Sequence, residues 1–94
     1  MAAAITLRVL TQEGLTLKDE ALSVIAPGEP GYLGMLRNHA PLVTTLKSGK
    51  LIWRTAAGTR RTALVGDGLL EVAANRVTLL TDRCTEPSPE AQAS

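Results

Sequence analysis

The chain has 94 residues, with ten Lys and Arg against nine Asp and Glu for a formal net charge of +1, and one cysteine. That length supports a single domain, and near-neutrality with only 2% aromatic residues excludes the basic, ring-stacking surfaces that hold nucleic acid. A lone Cys84 excludes an intrachain disulfide and a cysteine zinc site, and apolar runs this short cannot span a bilayer, so no direct insertion is expected. Phe is absent and only Trp53 and Tyr32 are aromatic, so the core is expected to consist of Leu, Val, Ile and Ala. The opening MAAAITLRVL has neither the basic region nor the apolar length of a secretory signal, which places the chain in a cytoplasm.

Ile5-Thr6-Leu7-Arg8-Val9 alternates apolar and polar residues with period two, the pattern of a half-buried strand. Gln12-Glu13-Gly14 turns the chain and Leu15-Thr16-Leu17-Lys18 resumes the alternation, giving an antiparallel hairpin. Asp19-Glu20 reads as a charged turn before the apolar run Ala21 to Ala26. From Pro27 to Pro41 the pattern changes. Gly28, Gly31 and Gly34 recur every third residue between prolines that withhold backbone donors, so a central strand is not expected there. Tyr32, Leu33, Met35 and Leu36 are nevertheless apolar, which points to a folded, bulged excursion packed on something, closed by Asn38-His39-Ala40-Pro41.

Beyond it, Leu42–Leu46 is a strand, Lys47-Ser48-Gly49 a turn, and Leu51–Thr55 and Thr59–Val65 a second hairpin around Ala57-Gly58. In that hairpin Arg61, Ala63 and Val65 share one face while Arg60, Thr62 and Leu64 share the other. Gly66-Asp67-Gly68 interrupts the chain before Leu69–Ala73, and Ala74-Asn75 precedes the last strand, Arg76–Thr81, with Cys84 a small residue at its end. The expected fold is all-β: a single β-sandwich of about nine or ten short, mainly antiparallel strands over residues 1–84. A disordered, proline-bearing tail follows over 85–94.

Catalytic and cofactor chemistry finds no residue set. The glycines lie three apart rather than in G-x-G-x-x-G, and Ser48-Gly49-Lys50 is followed by Leu51 where a phosphate loop requires Ser or Thr, so neither a nucleotide nor any other cofactor is expected. His39 is the only histidine, leaving triads and metal clusters without a base or ligand set. A turn histidine bonded to local backbone and an interface histidine both fit its position. Asp67 and Glu71 read as solvated turn charges, and Arg60-Arg61 as a solvated face or an edge guard against aggregation. Tyr32 combines large area with a polar tip, which suits either a buried position or an exposed contact anchor.

Two ordered motifs carry a resemblance. Gly31-Tyr32-Leu33-Gly34-Met35-Leu36 with His39-Ala40-Pro41-Leu42, then Gly66-Asp67-Gly68-Leu69-Leu70-Glu71-Val72 with Asn75-Arg76-Val77-Thr78-Leu79-Leu80, are similar to the signatures of the epsilon subunit of bacterial F-type ATP synthases (the mitochondrial counterpart is named delta). The resemblance runs from about Ile5 to Asp82. It implies a non-catalytic central-stalk subunit, a rotor part joining the gamma subunit to the membrane proteolipid ring on the cytoplasmic face of the bacterial inner membrane, and helping couple ion flow to ATP synthesis. Carried over position by position, it sets Thr11, His39 and Thr44 toward gamma, and Glu29, Gly31 and Tyr32 toward the ring. Two departures stand out: Tyr32 where relatives often carry an acid, and Arg37-Asn38 where many have Pro-Gly. The helical hairpin that in the family follows the sandwich, inhibits hydrolysis and in some members binds ATP is expected to be missing, because the chain ends where it would begin. Apart from the resemblance, a free-standing β-sandwich that recognises another partner fits the same residues.

Overall fold

The computed structural model describes residues 4–86. It contains nine strands: β1 (Ile5–Thr11), β2 (Gly14–Gly28), β3 (Gly31–Leu36), β4 (Leu42–Leu46), β5 (Gly49–Thr55), β6 (Arg60–Val65), β7 (Gly68–Ala73), β8 (Arg76–Thr81) and β9 (Cys84–Thr85). All pairings are antiparallel except that of β1 with β8. The all-β sandwich that the sequence leads one to expect is the fold observed, with no helix among the described residues.

The long strand β2 organises it. Its first half pairs with β1 from Gly14 to Ala21, within a layer that continues through β8 and β7 to β4. Its second half pairs with β3 on one side and β5 on the other, within a layer that continues to β6 and β9. The register against β5 slips between Ala21 and Ser23, one extra residue on β2 that bends the strand from one layer into the other. Gly28 then meets Leu46, so β4 at the edge of the first layer also joins the end of β2 in the second.

Period-two alternation sends one face of each strand inward. Ile5, Leu7, Val9, Leu46, Leu70, Val72, Val77 and Leu79 of the first layer meet Val24, Ala26, Met35, Leu51, Trp53, Ala63 and Val65 of the second in one core. The core is thus not aliphatic throughout, because Trp53 is its largest fully buried side chain. It is affordable there because its indole N–H donates to Asp19 Oδ2 at 2.9 Å.

Three local expectations change. Asp19-Glu20 is not a turn: both residues lie mid-strand in β2, paired with Leu7 and Thr6. The segment from Pro27 is not a bulged excursion either. It is the end of β2 and an edge strand, β3, joined through Glu29-Pro30. Pro27 is tolerated because the β5 ladder stops at Ile25, where the missing N–H begins to matter less. Finally, β9 reaches Thr85, so the anticipated boundary between residues 84 and 85 falls inside a strand, while 87–94 of the anticipated tail lie outside the described residues.

Candidate interaction surface

At one end of the sandwich two turns are locked together. The Glu29-Pro30 turn closes through Gly31, whose φ of +134 is available to glycine and rarely to other residues. The Glu29 N–H donates to the Thr45 carbonyl at 2.9 Å, and the Lys47 N–H to the Pro27 carbonyl at 2.7 Å. Tyr32 lies across the β4–β5 turn, its hydroxyl accepting from the Lys50 N–H at 3.1 Å. Gly49 makes this approach possible: a Cβ there would stand 2.7 Å from the tyrosine oxygen and 3.0 Å from the Pro27 Cβ. Tyr32 therefore has a fixed tip, while the residue as a whole remains 57% exposed. Glu29 and Gly31 are exposed beside it, so the structure brings these three residues together at one tip.

The next turn is held by Asp67. Its Oδ1 accepts from the Ser48 N–H at 2.8 Å and from the Ser48 hydroxyl at 3.1 Å. Those bonds, the backbone donor first, with Lys47 and Arg83 adding charge, hold the Asp67 carboxyl below its ordinary value. Asp67 is more than a solvated turn charge: it fastens the β4–β5 turn to the β6–β7 turn.

Thr11, Thr44 and His39 are not gathered. Thr11 closes β1 at the same end as the Tyr32 tip, where its hydroxyl lies 2.8 Å from that of Thr16 and accepts from the Glu13 N–H at 3.2 Å. Thr44 lies mid-way along β4, opposite Leu70, half-buried on the inward-facing side with Leu42 and Leu46. His39 follows β3 at the far end. Its Nδ1 lies 2.7 Å from the Ala40 carbonyl, which can only accept, so Nδ1 carries the proton. The turn reading of His39 is thereby realised. Asn38 beside it adopts φ 69, a left-handed conformation that asparagine tolerates better than most residues, consistent with the glycine common there in the resembling family. Its N–H donates to Asn75 Oδ1 at 2.6 Å, tying this loop to the Ala74-Asn75 turn.

Two features escaped the sequence reading. The outer face of the first layer carries an apolar row in which Leu10, Leu80 and Leu69 are cross-strand neighbours, with Val43 close by on β4. Leu80 and Leu69 are 48% exposed and Val43 68%. Period-two alternation had only to be followed to the outward positions to find it. The second is a cluster on Trp53. The Arg61 guanidinium lies 5.3 Å over the indole, 3.4 Å from Asp19 Oδ2, and bonds Glu86 with its other nitrogen. Arg61 points inward, as its alternation with Ala63 and Val65 implied, and only Arg60 keeps the solvated role expected of the pair. Among the described residues, no group of three or more His, Cys, Asp or Glu is placed to hold a metal ion.

Residues 4–87 match the family model described as ATP synthase, Delta/Epsilon chain, beta-sandwich domain. The chain belongs to this family. Among curated relatives, the ATP synthase epsilon chain of Desulfitobacterium hafniense is 42% identical over 82 residues, covering 87% of this chain and 61% of that one. The ATP synthase epsilon chain of Moorella thermoacetica is 41% identical over 80 residues, covering 85% and 60%. The chain thus spans 61% and 60% of the length of these two relatives. Among solved structures, one chain of the Euglena gracilis mitochondrial ATP synthase (OSCP/F1/c-ring) superposes with a TM-score of 0.83 at 20% identity, covering 99% of this chain and 61% of that one. A chain of the Tetrahymena thermophila mitochondrial ATP synthase central stalk and c-ring gives 0.69 at 16% identity, covering 86% and 65%. At those identities the structural matches speak for the delta/epsilon sandwich fold alone. No helix among the described residues is long and apolar enough to cross a membrane.

Proposed function

We propose that the chain is a non-catalytic rotor subunit of an F-type ATP synthase, an epsilon sandwich seated between the gamma subunit and the proteolipid ring on the cytoplasmic face of the membrane. It helps transmit torque between ion flow and ATP synthesis. Family membership combined with the locked Tyr32 tip carries this reading. A contact that turns under load must not fold away, and the tip is tied down by backbone bonds from Glu29, Lys47 and Lys50. In this reading Glu29, Gly31 and Tyr32 meet the polar loops of the ring.

Gamma takes the flank that runs from Thr11 to His39, with Thr44 at mid-height behind it, half-buried on the inward side of β4. These positions span the full height of the first layer rather than forming a spot, as a broad interface requires. A lasting attachment needs on the order of 1,000 Å² of buried surface. The exposed row of Leu69, Leu80 and Val43 supplies apolar area on that same layer. The close-packed interior makes the sandwich a stiff spacer.

Mixing the purified chain with its gamma subunit at micromolar concentration and separating the mixture by size tests this. Co-elution as a complex is the expected result. A chain that stays monomeric beside folded gamma overturns the proposal in favour of a free-standing binding module.

A further inference from the structure

We propose that β9 is a releasable strap, clasped by Arg61, that leaves and returns to the edge of β6 while the two sheets stay closed. This goes beyond the rotor reading and does not depend on it. The strap is held by little. Only Leu64–Thr85 and Val65–Cys84 pair across the ladder, against five or six pairs in most neighbouring ladders. Cys84 is half-buried, although Val65 opposite it belongs to the core. A recess of about 290 Å³, lined by Thr11, Glu13, Thr16, Asp82, Arg83 and Cys84, leaves the flank of the strap unpacked.

The clasp is built to open without leaving a stranded charge. Arg61 bonds Glu86 at the far end of the strap, and the two side chains are both partly exposed, so each is hydrated on parting. Asp19 and the Trp53 ring remain beneath Arg61 and hold it in place. Asp19 in turn keeps its bond from the indole N–H. The root of the strap is held by two longer bonds, the Arg83 carbonyl accepting from the Gly66 N–H at 3.1 Å and from the Thr81 hydroxyl at 3.3 Å. Release therefore runs from Glu86 back through Arg83, whose carbonyl lets go of Gly66 and Thr81, a local opening far smaller than global unfolding.

Two reporters sit in the strap itself. Opening exposes the Arg83–Cys84 bond to trypsin and Cys84, the sole cysteine, to N-ethylmaleimide. Both reactions, followed by mass spectrometry on the full chain without denaturant and again in a series of sub-denaturing urea concentrations, are compared in wild type, Arg61→Met and Glu86→Gln. Burial and the Glu86 charge hold the Cys84 thiol up, so Glu86→Gln speeds alkylation through ionisation alone; scission after Arg83 is blind to that and decides the case. Both variants are expected to raise the scission rate about two- to fivefold, the scale of one partly exposed ion pair, with the thermal midpoint of Glu86→Gln close to wild type. Equal scission rates in all three proteins would overturn the proposal. So would a rate whose urea dependence equals that of global unfolding, because the strap would then open only with the whole sandwich.

Discussion

Leu79 and Leu80 are adjacent in β8 and face opposite ways, which makes them a direct test of the register. Leu79 is fully buried opposite Leu70, whereas Leu80 is half-exposed opposite Leu69. Truncating a fully buried leucine removes its transfer energy and leaves a cavity, about 3–5 kcal/mol in total. In a domain of this size each kcal/mol moves the thermal midpoint by roughly 4–8 °C, so Leu79→Ala should melt at least about 10 °C below wild type. Leu80→Ala should stay within about 0.5 kcal/mol, a shift of no more than about 4 °C. Leu79→Asp adds the burial of an unpartnered carboxyl, which even as the neutral acid costs on the order of the 2–7 kcal/mol of an unbonded polar group. The sum approaches the roughly 5–14 kcal/mol that a chain of this length has in hand, so that variant should not fold. Circular dichroism melts of the three proteins decide the matter. A Leu80→Ala loss as large as that of Leu79→Ala, or a cooperatively melting Leu79→Asp, would show that the wrong face had been assigned to the core.

Asp19→Ala should cost about 1–3 kcal/mol in a urea titration, because it strands the buried indole N–H of Trp53 and one partner of Arg61. Gly49→Ala should push the Tyr32 hydroxyl off the Lys50 N–H and lower stability by about 1 kcal/mol, a loss that Gly49→Ala/Tyr32→Phe should not enlarge. The folded-state pKa of Asp67 lies below its unfolded value of 3.8, so its contribution is complete above that pH and is lost as pH falls through the folded value. The urea midpoints of wild type and Asp67→Asn should accordingly differ above pH 3.8 and converge as the pH falls progressively below it. Tyr32→Ala should leave the isolated fold intact, the residue being mostly exposed, while weakening attachment of the assembled complex to the membrane ring. Unchanged retention on the membrane would count against the tip as the ring contact.

Most of the architecture was readable because two-residue alternation survives in β1 and the start of β2, because Leu42–Leu46 is a continuous β-branched run, and because Ala57-Gly58 and Ala74-Asn75 are strong turn signals. What failed shares a cause. Asp19 and Glu20 are charged and adjacent, which locally reads as a turn, yet Asp19 lies in a strand because Trp53 and Arg61, more than thirty residues away, give its carboxylate partners. Pro27 and the three glycines argue against a strand until the extent of the neighbouring ladder is known. The site divides similarly. The turn that presents Tyr32 is coded locally by Gly28-Glu29-Pro30-Gly31, whereas the fixing of its hydroxyl by Lys50 depends on a contact between distant turns. Likewise, nothing near Arg61 in sequence announces that Glu86 would reach it.

The parallel pairing of β1 with β8 has a consequence for biosynthesis. Strand β1 finds one of its two neighbours only after residues 76–80 have been made, because Thr6 to Leu10 align with Arg76 to Leu80. Until then β1 and β7 each present a bare edge, and β8 must slot between them as the closing stave. Hairpins can form early, yet cooperative closure waits for almost the whole sandwich, which favours slow folding. A nascent chain stalled before Arg76 should consequently be sensitive to protease and prone to edge-to-edge association, whereas one released beyond Thr81 should not.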